Sequence, residues 1–397
     1  MTILCIASYE KGHAFIKECK RQGATVLLVT SLSLKGLHRF PMEAIDEIFY
    51  MPDTGNAWDR ADLLKSVSYI ARHREIDRVV ALDDFDVEVA AGLREHLRVP
   101  GMGETTVRYF RDKLAMRMKA REAGIAVPEF VPVLNHGRVQ GFMDHVSPPW
   151  VLKPRSMAGA IGIRKIHNQQ EFWPAIDALG DMQSHYLLEQ FVPGDVFHVD
   201  TIMVDKVPVF AIASAYGKPP MEVAHEGDVF TTRILERDSA IAEDLLRTNA
   251  AVLSGLGLVR GVSHTEFIRG HADGQIYFLE TSARVGGAHI AELVEAASGL
   301  NLWAEWAKVE LDPNYTLTPP RHDYAGLLVS LSKQQQPDTS AYDDPEVVWR
   351  MNDKEHHVGL IVRSPSAERV KQLLASYVER VKQDFWASLP PQEKPTH

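Results

Sequence analysis

Short apolar runs alternating with helix-like segments through the first hundred residues constrain this chain more than any other feature. Residues 2–7, 24–30 and 78–82 read as buried strands, and residues 13–22 and 87–97 as helices, the first stopped at Gly23. Strands alternating with helices predict a parallel sheet with crossover helices, a Rossmann-like α/β arrangement. Ligands of such sheets bind beyond the carboxyl ends of the strands. The strand at 78–82 is followed by Asp83-Asp84-Phe85-Asp86. No G-x-G-x-x-G follows the first strand, so dinucleotide binding is not supported. The chain has 397 residues, more than one ordinary core holds, which predicts two or three cooperating domains.

The pattern changes after the turn cluster Val99-Pro100-Gly101-Met102-Gly103. A helix is predicted over 105–123, with Val107, Phe110, Leu114 and Met118 on one stripe and Gly124 at its end. Short strands are then predicted at 150–154, 161–166, 186–191, 197–204 and 209–214, with a helix over 240–254 closed by Gly255. This is an α+β pattern, mainly antiparallel. Strands at 326–331 and 357–362 and a helix over 367–385 follow, and the polar tail from Pro390 is predicted to fray. The division drawn is an α/β domain at 1–102, an α+β domain at 103–320 and a small α+β C-terminal lobe at 321–397.

Composition narrows the function. The net charge is −10 and no long basic run occurs, which argues against nucleic-acid binding through a basic face. Cys5 and Cys19 are too few for a disulfide framework or a cysteine zinc site, which points to a reduced, cytoplasmic setting. The start lacks a basic signal-peptide n-region, and no apolar run approaches the ~20 residues of a membrane helix.

Two carboxylates carry the sharpest chemical signal. Residues 264–268 and 276–282 read as strands around Asp273-Gly274. A three-residue loop over 272–274 sets Glu266 directly opposite Glu280, with Ser282 on the same face. Apposed carboxylates need a cation, a shared proton or solvent between them, and oxygen-only ligands favour Mg2+ or Mn2+. A solvated hairpin face is the plain alternative. Arg284 lies just beyond, before Gly286-Gly287, and guanidinium suits phosphate oxygens. Lys153 sits on a strand among apolar neighbours, where a lysine is costly without an anion. Ser156, Gly159 and Gly162 belong to a small-residue loop whose backbone N–H groups can approach a phosphate. Lys113 is a second candidate phosphate cation, and the stretch from Leu188 to Asp195 a candidate adenine-pairing edge.

Taken in order, Arg111-Asp112-Lys113, Lys153 with its small-residue loop, Glu189-Gln190-Phe191-Val192, Glu266, and Glu280 through Arg284 resemble the ATP-grasp superfamily. The resemblance runs from the α/β start to about residue 310. It implies an ATP- and magnesium-dependent ligase that activates a carboxylate as an acyl phosphate. Lys113 and Lys153 would contact phosphates, and the 156–162 loop would close over them. Glu189 would accept from the adenine amino group, the Val192 backbone would pair with the ring, and Asp195 would meet the ribose. Glu266 and Glu280 would bind the metal ions, and Arg284 the transferring phosphoryl group. Ser282 stands where many of these enzymes have asparagine. The Glu-x-Ser-x-Arg pattern resembles the L-amino-acid ligase branch, with small-molecule carboxylate and amine substrates and, often, a homodimer. Gly287 and His289 would border the amino-acid site, and His225 is another substrate-side candidate. Phe197-His198-Val199-Asp200 resembles the adenine-side strand of biotin carboxylase, but that group's Arg-Arg-x-Gln-Lys signature is missing between Gly217 and Arg233. That carboxylase and a non-catalytic nucleotide-binding protein are the rival readings.

Overall fold

The structure is a computed structural model that describes residues 1–387 apart from Asn56 and Ala160. The side chains of His225 and Glu226 lie outside that description, as does the tail from Pro390.

The first sheet is parallel and ordered β3-β2-β1-β4, from β1 (Thr2–Ala7), β2 (Thr25–Ser31), β3 (Glu47–Met51) and β4 (Arg78–Ala81). Helices α1 (His13–Arg21), α2 (Arg60–Ala71) and α3 (Val87–Leu97) supply the crossovers and the helix after β4. Strand β3 escapes a sequence reading because it is an edge strand, only half-buried over most of its length. Strand order reverses between β1 and β4, and Asp83–Asp86 turn over the crevice at that switch point, where such sheets hold ligands.

The helix predicted over 105–123 is broken. Helix α4 (Glu104–Val107) passes through a short 3-10 turn, and α5 (Lys113–Glu122) starts afresh after Asp112. The Asp112 carboxylate accepts from the backbone N–H of Leu114 at 2.9 Å and caps the new helix. The break resets the helical phase. Met118, placed on the apolar stripe by an unbroken period, is 52% exposed, while Met116, Arg117 and Ala120 turn inward.

A small antiparallel sheet follows, ordered β5-β8-β6-β7 from β5 (Phe130–Pro132), β6 (Trp150–Pro154), β7 (Arg164–Ile166) and β8 (Tyr186–Gln190). Helices α6 (His136–His145) and α7 (Gln169–Asp177) cover it, packing Val139, Met143, Phe172 and Ile176 on Trp150 and Leu188.

The third sheet has eight antiparallel strands, ordered β13-β12-β9-β10-β11-β14-β16-β15. They are β9 (Gly194–Val204), β10 (Val207–Tyr216), β11 (Phe230–Ile234), β12 (Gly261–Gly270), β13 (Ile276–Ser282), β14 (Tyr324–Leu331), β15 (Val347–Arg350) and β16 (His357–Ser364). Helix α8 (Pro220–Glu226) joins β10 to β11, and α9 (Ala240–Leu256) packs on one face. Helices α10 (Ile290–Ser298) and α11 (Leu302–Leu311) pack on the other, and α12 (Ala367–Asp384) covers the far end. Helix α9 runs through Gly255 and ends at Gly257, which is left-handed at φ 89°. Gly255 is instead a close-approach residue, since a Cβ there would sit 3.0 Å from that of Ala123.

The division drawn at 320/321 does not separate two sheets. Strand β14 pairs with β11, Thr231 opposite Leu328, so the C-terminal strands extend the central sheet. The first domain is equally continuous with the rest. One core joins Ile3, Cys5 and Phe15 to Ile202, Leu293 and Trp306, with the Phe15 and Trp306 rings 5.1 Å apart. No helix among the described residues is long and apolar enough to cross a membrane.

Candidate functional site

A cavity of about 870 Å³ opens between the small sheet and the eight-stranded sheet, with Asp84 of the first sheet at one end. Its walls gather side chains far apart in sequence: Lys113, Lys153, Glu189, Glu266, Glu280 and Arg284 all reach it.

Glu266 and Glu280 are paired across β12 and β13, though not through a three-residue loop. The strands are offset by one residue near the turn, with Arg269 opposite Ile276 and Phe267 opposite Phe278. A bulge at Leu279 then restores the register, and Glu266 meets Glu280. At the bulge the guanidinium of Arg117 donates to the Leu279 carbonyl.

The carboxylates do not face one another bare. Lys113 Nζ lies 2.8 Å from Glu280 Oε2, and the Tyr216 hydroxyl donates to Glu266 Oε1 at 2.7 Å. Burial works against charge on Glu280, but Lys113, then Lys153 and Arg117, together outweigh burial and hold the carboxyl down at about 2. Lys113 also donates to the Met157 carbonyl at 2.6 Å, so the residue that starts α5 ties the metal-ligand candidate to the small-residue loop.

Glu189 is 2% exposed and clasped by two cations, Arg117 and Lys153. Burial opposes its charge, but Arg117 and then Lys153 hold the carboxyl below its ordinary value. Glu189 also lines the cavity, and one of its oxygens pairs with Arg117 and the other with Lys153. Arg117, fully buried, has no place in the sequence reading, yet a signal was there, since it lies one helical turn from Lys113.

The remaining candidates divide. Gly159, Val192, Asp195, Ser282 and Gly287 line the cavity. Ser156 and Gly162 do not; Met157, Ala158, Gly159, Ile161 and Ile163 are the described loop residues that do. Gly162 serves the turn instead, left-handed at φ 73°. His198 is also off the wall, fully buried, with Nδ1 2.8 Å from Asp200 Oδ2 and Nε2 2.7 Å from Thr232 Oγ1. His289 adopts a left-handed backbone at φ 63° before α10, and its ring packs 4.8 Å from that of Trp349 rather than on the cavity wall. His225 falls in α8, its side chain outside the described residues.

At the end of the cavity near β4, Arg284 is joined by Arg111 and Asp84, which have no individual role in the sequence reading. Arg111 and Asp84 are both nearly buried, 3.4 Å apart, and the Arg111 guanidinium stacks 4.6 Å from the Phe85 ring. Arg284 Nε lies 3.8 Å from Asp84 Oδ1. Two arginines thus converge where β4 ends. Lys218 joins the wall from the β10–β11 connection, 2.6 Å from Asp228.

Residues 146–292 match the ATP-grasp domain family. Among curated proteins, an L-arginine-specific L-amino acid ligase of Bacillus subtilis is 24% identical over 251 residues, 61% of this chain and 60% of that protein's length. Among solved structures, an L-amino acid ligase from Bacillus licheniformis superposes with a TM-score of 0.72 at 17% identity, covering 98% of this chain and 99% of that one. A carboxyaminoimidazole ribonucleotide synthase from Aspergillus clavatus, complexed with ATP, gives 0.74 at 13% identity, over 96% of this chain and 98% of that one. At these identities the superpositions establish the fold. Matched domain, shared fold and the order of the cavity's residues agree, and residues 146–292 of the chain form an ATP-grasp domain.

Proposed function

We propose that this chain is an ATP-dependent carboxylate–amine ligase that joins amino-acid-like substrates through an acyl phosphate and releases ADP and phosphate. The observation that carries the reading is the single cavity in which Lys113, Lys153, Glu266, Glu280 and Arg284 converge between two antiparallel sheets. The donor set suits ATP with a divalent cation. Apposed carboxylates with a serine beside them are hard oxygen ligands, of the kind magnesium or manganese takes. Bound there, the cation would neutralise phosphate charge. The curated relative's activity on amino acids supports the choice of substrate class.

In this reading the residues act by position and charge. Lys153, held by Glu189, presents its ammonium to the phosphates, and Lys113 does so from the start of α5. Arg284, with Arg111 behind it, faces the terminal phosphoryl group as a substrate carboxylate attacks it. The carboxylate oxygen forms the new bond to phosphorus, and the bond to the ADP oxygen breaks. The amine then attacks the acyl carbon and phosphate leaves. Met157, Ala158, Gly159 and Ile161 of the small-residue loop and the start of α8 line the cavity and would exclude water from the acyl phosphate.

The test is a phosphate-release screen over single amino acids and pairs, with ATP and magnesium. Hydroxylamine in place of the amine is expected to trap a hydroxamate, with ADP as the nucleotide product. AMP and pyrophosphate would mean adenylation and would overturn the mechanism. ATP turnover dependent on bicarbonate alone would favour the carboxylase.

A further inference from the structure

Behind Glu266 lies a chain of buried polar groups to which the proposed chemistry gives no task. It begins at Thr232, whose hydroxyl is 2.7 Å from His198 Nε2. His198 Nδ1 is 2.8 Å from Asp200 Oδ2, and Asp200 Oδ1 is 2.9 Å from His264 Nδ1. The other face of the His264 ring edge points forward, its Nε2 3.6 Å from Glu266 Oε1. That same oxygen accepts from Tyr216. The members come from β9, β10, β11 and β12, and alternation along the strands puts them on one face of the sheet.

Buried polar residues in a sheet are costly unless each finds a partner. Here the partners form a line that ends on one oxygen of one carboxylate. Gly286 fits the same purpose. A Cβ at 286 would come within 2.9 Å of His264 Nδ1 and 3.1 Å of Asp200 Oδ1, so the turn after Arg284 closes directly over this pair. His198, Asp200 and His264 also sit close enough to share a metal ion. Yet His198 Nδ1 and His264 Nδ1 each point at a different oxygen of Asp200, the arrangement of two ring N–H donors on one carboxylate.

We propose that His264 and Tyr216 are positioning residues that fix Oε1 of Glu266 and leave Oε2 to a divalent cation, with Asp200 and His198 orienting the His264 ring from behind. The proposal rests on the reading of Glu266 as a cation ligand. Groups that orient a metal-binding side chain typically change metal affinity by roughly 10–100-fold when removed.

The experiment is a Mn2+ titration of the protein with ADP, followed by electron paramagnetic resonance, which reads the ion without turnover. Tyr216→Phe keeps the ring and its packing and is expected to weaken Mn2+ by roughly tenfold, with metal-free ADP affinity unchanged. His264→Leu is expected to do the same, and His264→Gln, which restores a donor toward Glu266, to recover part of the loss. Asp200→Asn is expected to broaden the Mn2+ signal even where thermal unfolding shows a folded protein. Wild-type Mn2+ affinity in both Tyr216→Phe and His264→Leu would overturn the proposal while leaving the ligase reading intact. Absence of Mn2+ binding in the wild-type ADP complex would instead overturn that reading, and this proposal with it. Stoichiometric binding of Mn2+ or Zn2+ alone without nucleotide, lost in Asp200→Asn, would make the cluster a metal site and also overturn the proposal.

Discussion

The first sheet and the eight-stranded sheet solve burial in opposite ways. In the first, β1 contributes Ile3, Leu4, Cys5, Ile6 and Ala7, all fully buried, and both faces are covered by apolar side chains. In the second, the strands around the cavity bury His198, Asp200, Thr201, Ser214, Thr232 and Thr265 beside the apolar residues. A parallel sheet covered on both faces needs only apolar contact. A sheet that holds charges in register must partner those charges with polar neighbours, and so commits its interior to one arrangement. The difference separates scaffold from site, and it predicts that substitutions in the two sheets will fail in different ways.

The largest effect is expected at the paired carboxylates. Glu280→Gln should lower turnover by at least roughly a hundredfold while the fold persists, with Glu266→Gln nearly as severe. Steady-state ATP turnover with circular dichroism checks both halves, and near-wild-type rates would erase the distinction between the sheets. Repulsion between the two carboxylates is not what their removal relieves, because Lys113 already pairs with Glu280 and would lose its partner.

Arg117 tests whether the polar interior carries stability as well as chemistry. Arg117→Met strands a buried Glu189 beside Lys153 alone and should cost about 3–5 kcal/mol, read by urea denaturation. A loss under about 1 kcal/mol would mean that Lys153 alone satisfies Glu189.

In the scaffold, Leu4→Ala removes a fully buried side chain between β1 and its covering helices and should cost about 2–5 kcal/mol. Metal and nucleotide affinity should be unchanged in the protein that remains folded. A parallel loss of Mn2+ binding would show that the two sheets are less independent than their packing suggests.

The smallest effect is a pH dependence confined to the polar sheet. Burial opposes charge on His264, but Asp200 and Glu266 outweigh it and push the imidazolium up to about 9, above its ordinary 6.5. The stability this gives is fully present below pH 6.5 and drains as pH rises through 9. Melting temperature should therefore fall across that window, and the fall should flatten in His264→Gln. An identical slope in the variant would place the titration elsewhere.

Much of this was legible in the sequence because it rests on short-range rules. Apolar runs marked β1, β2 and β4, and the ordered signature of lysines, glutamates and arginine marked the ATP-grasp domain. Strand alternation put Ser282 on the face of Glu280, and both line the cavity. What the sequence did not determine depended on contacts between distant segments. The pairing of Glu266 with Glu280 came from a register offset cancelled by a bulge, and only the packed sheet decides where a bulge falls. The pairing of Arg117 with Glu189 depended on α5 being restarted by the Asp112 cap, which turned Arg117 inward. His198 looked like a binding residue until β11 brought Thr232 to its second nitrogen. A single strand can state which side chains share a face, but the partner that satisfies each buried charge is supplied by another part of the chain, and that assignment is made only when the tertiary structure closes.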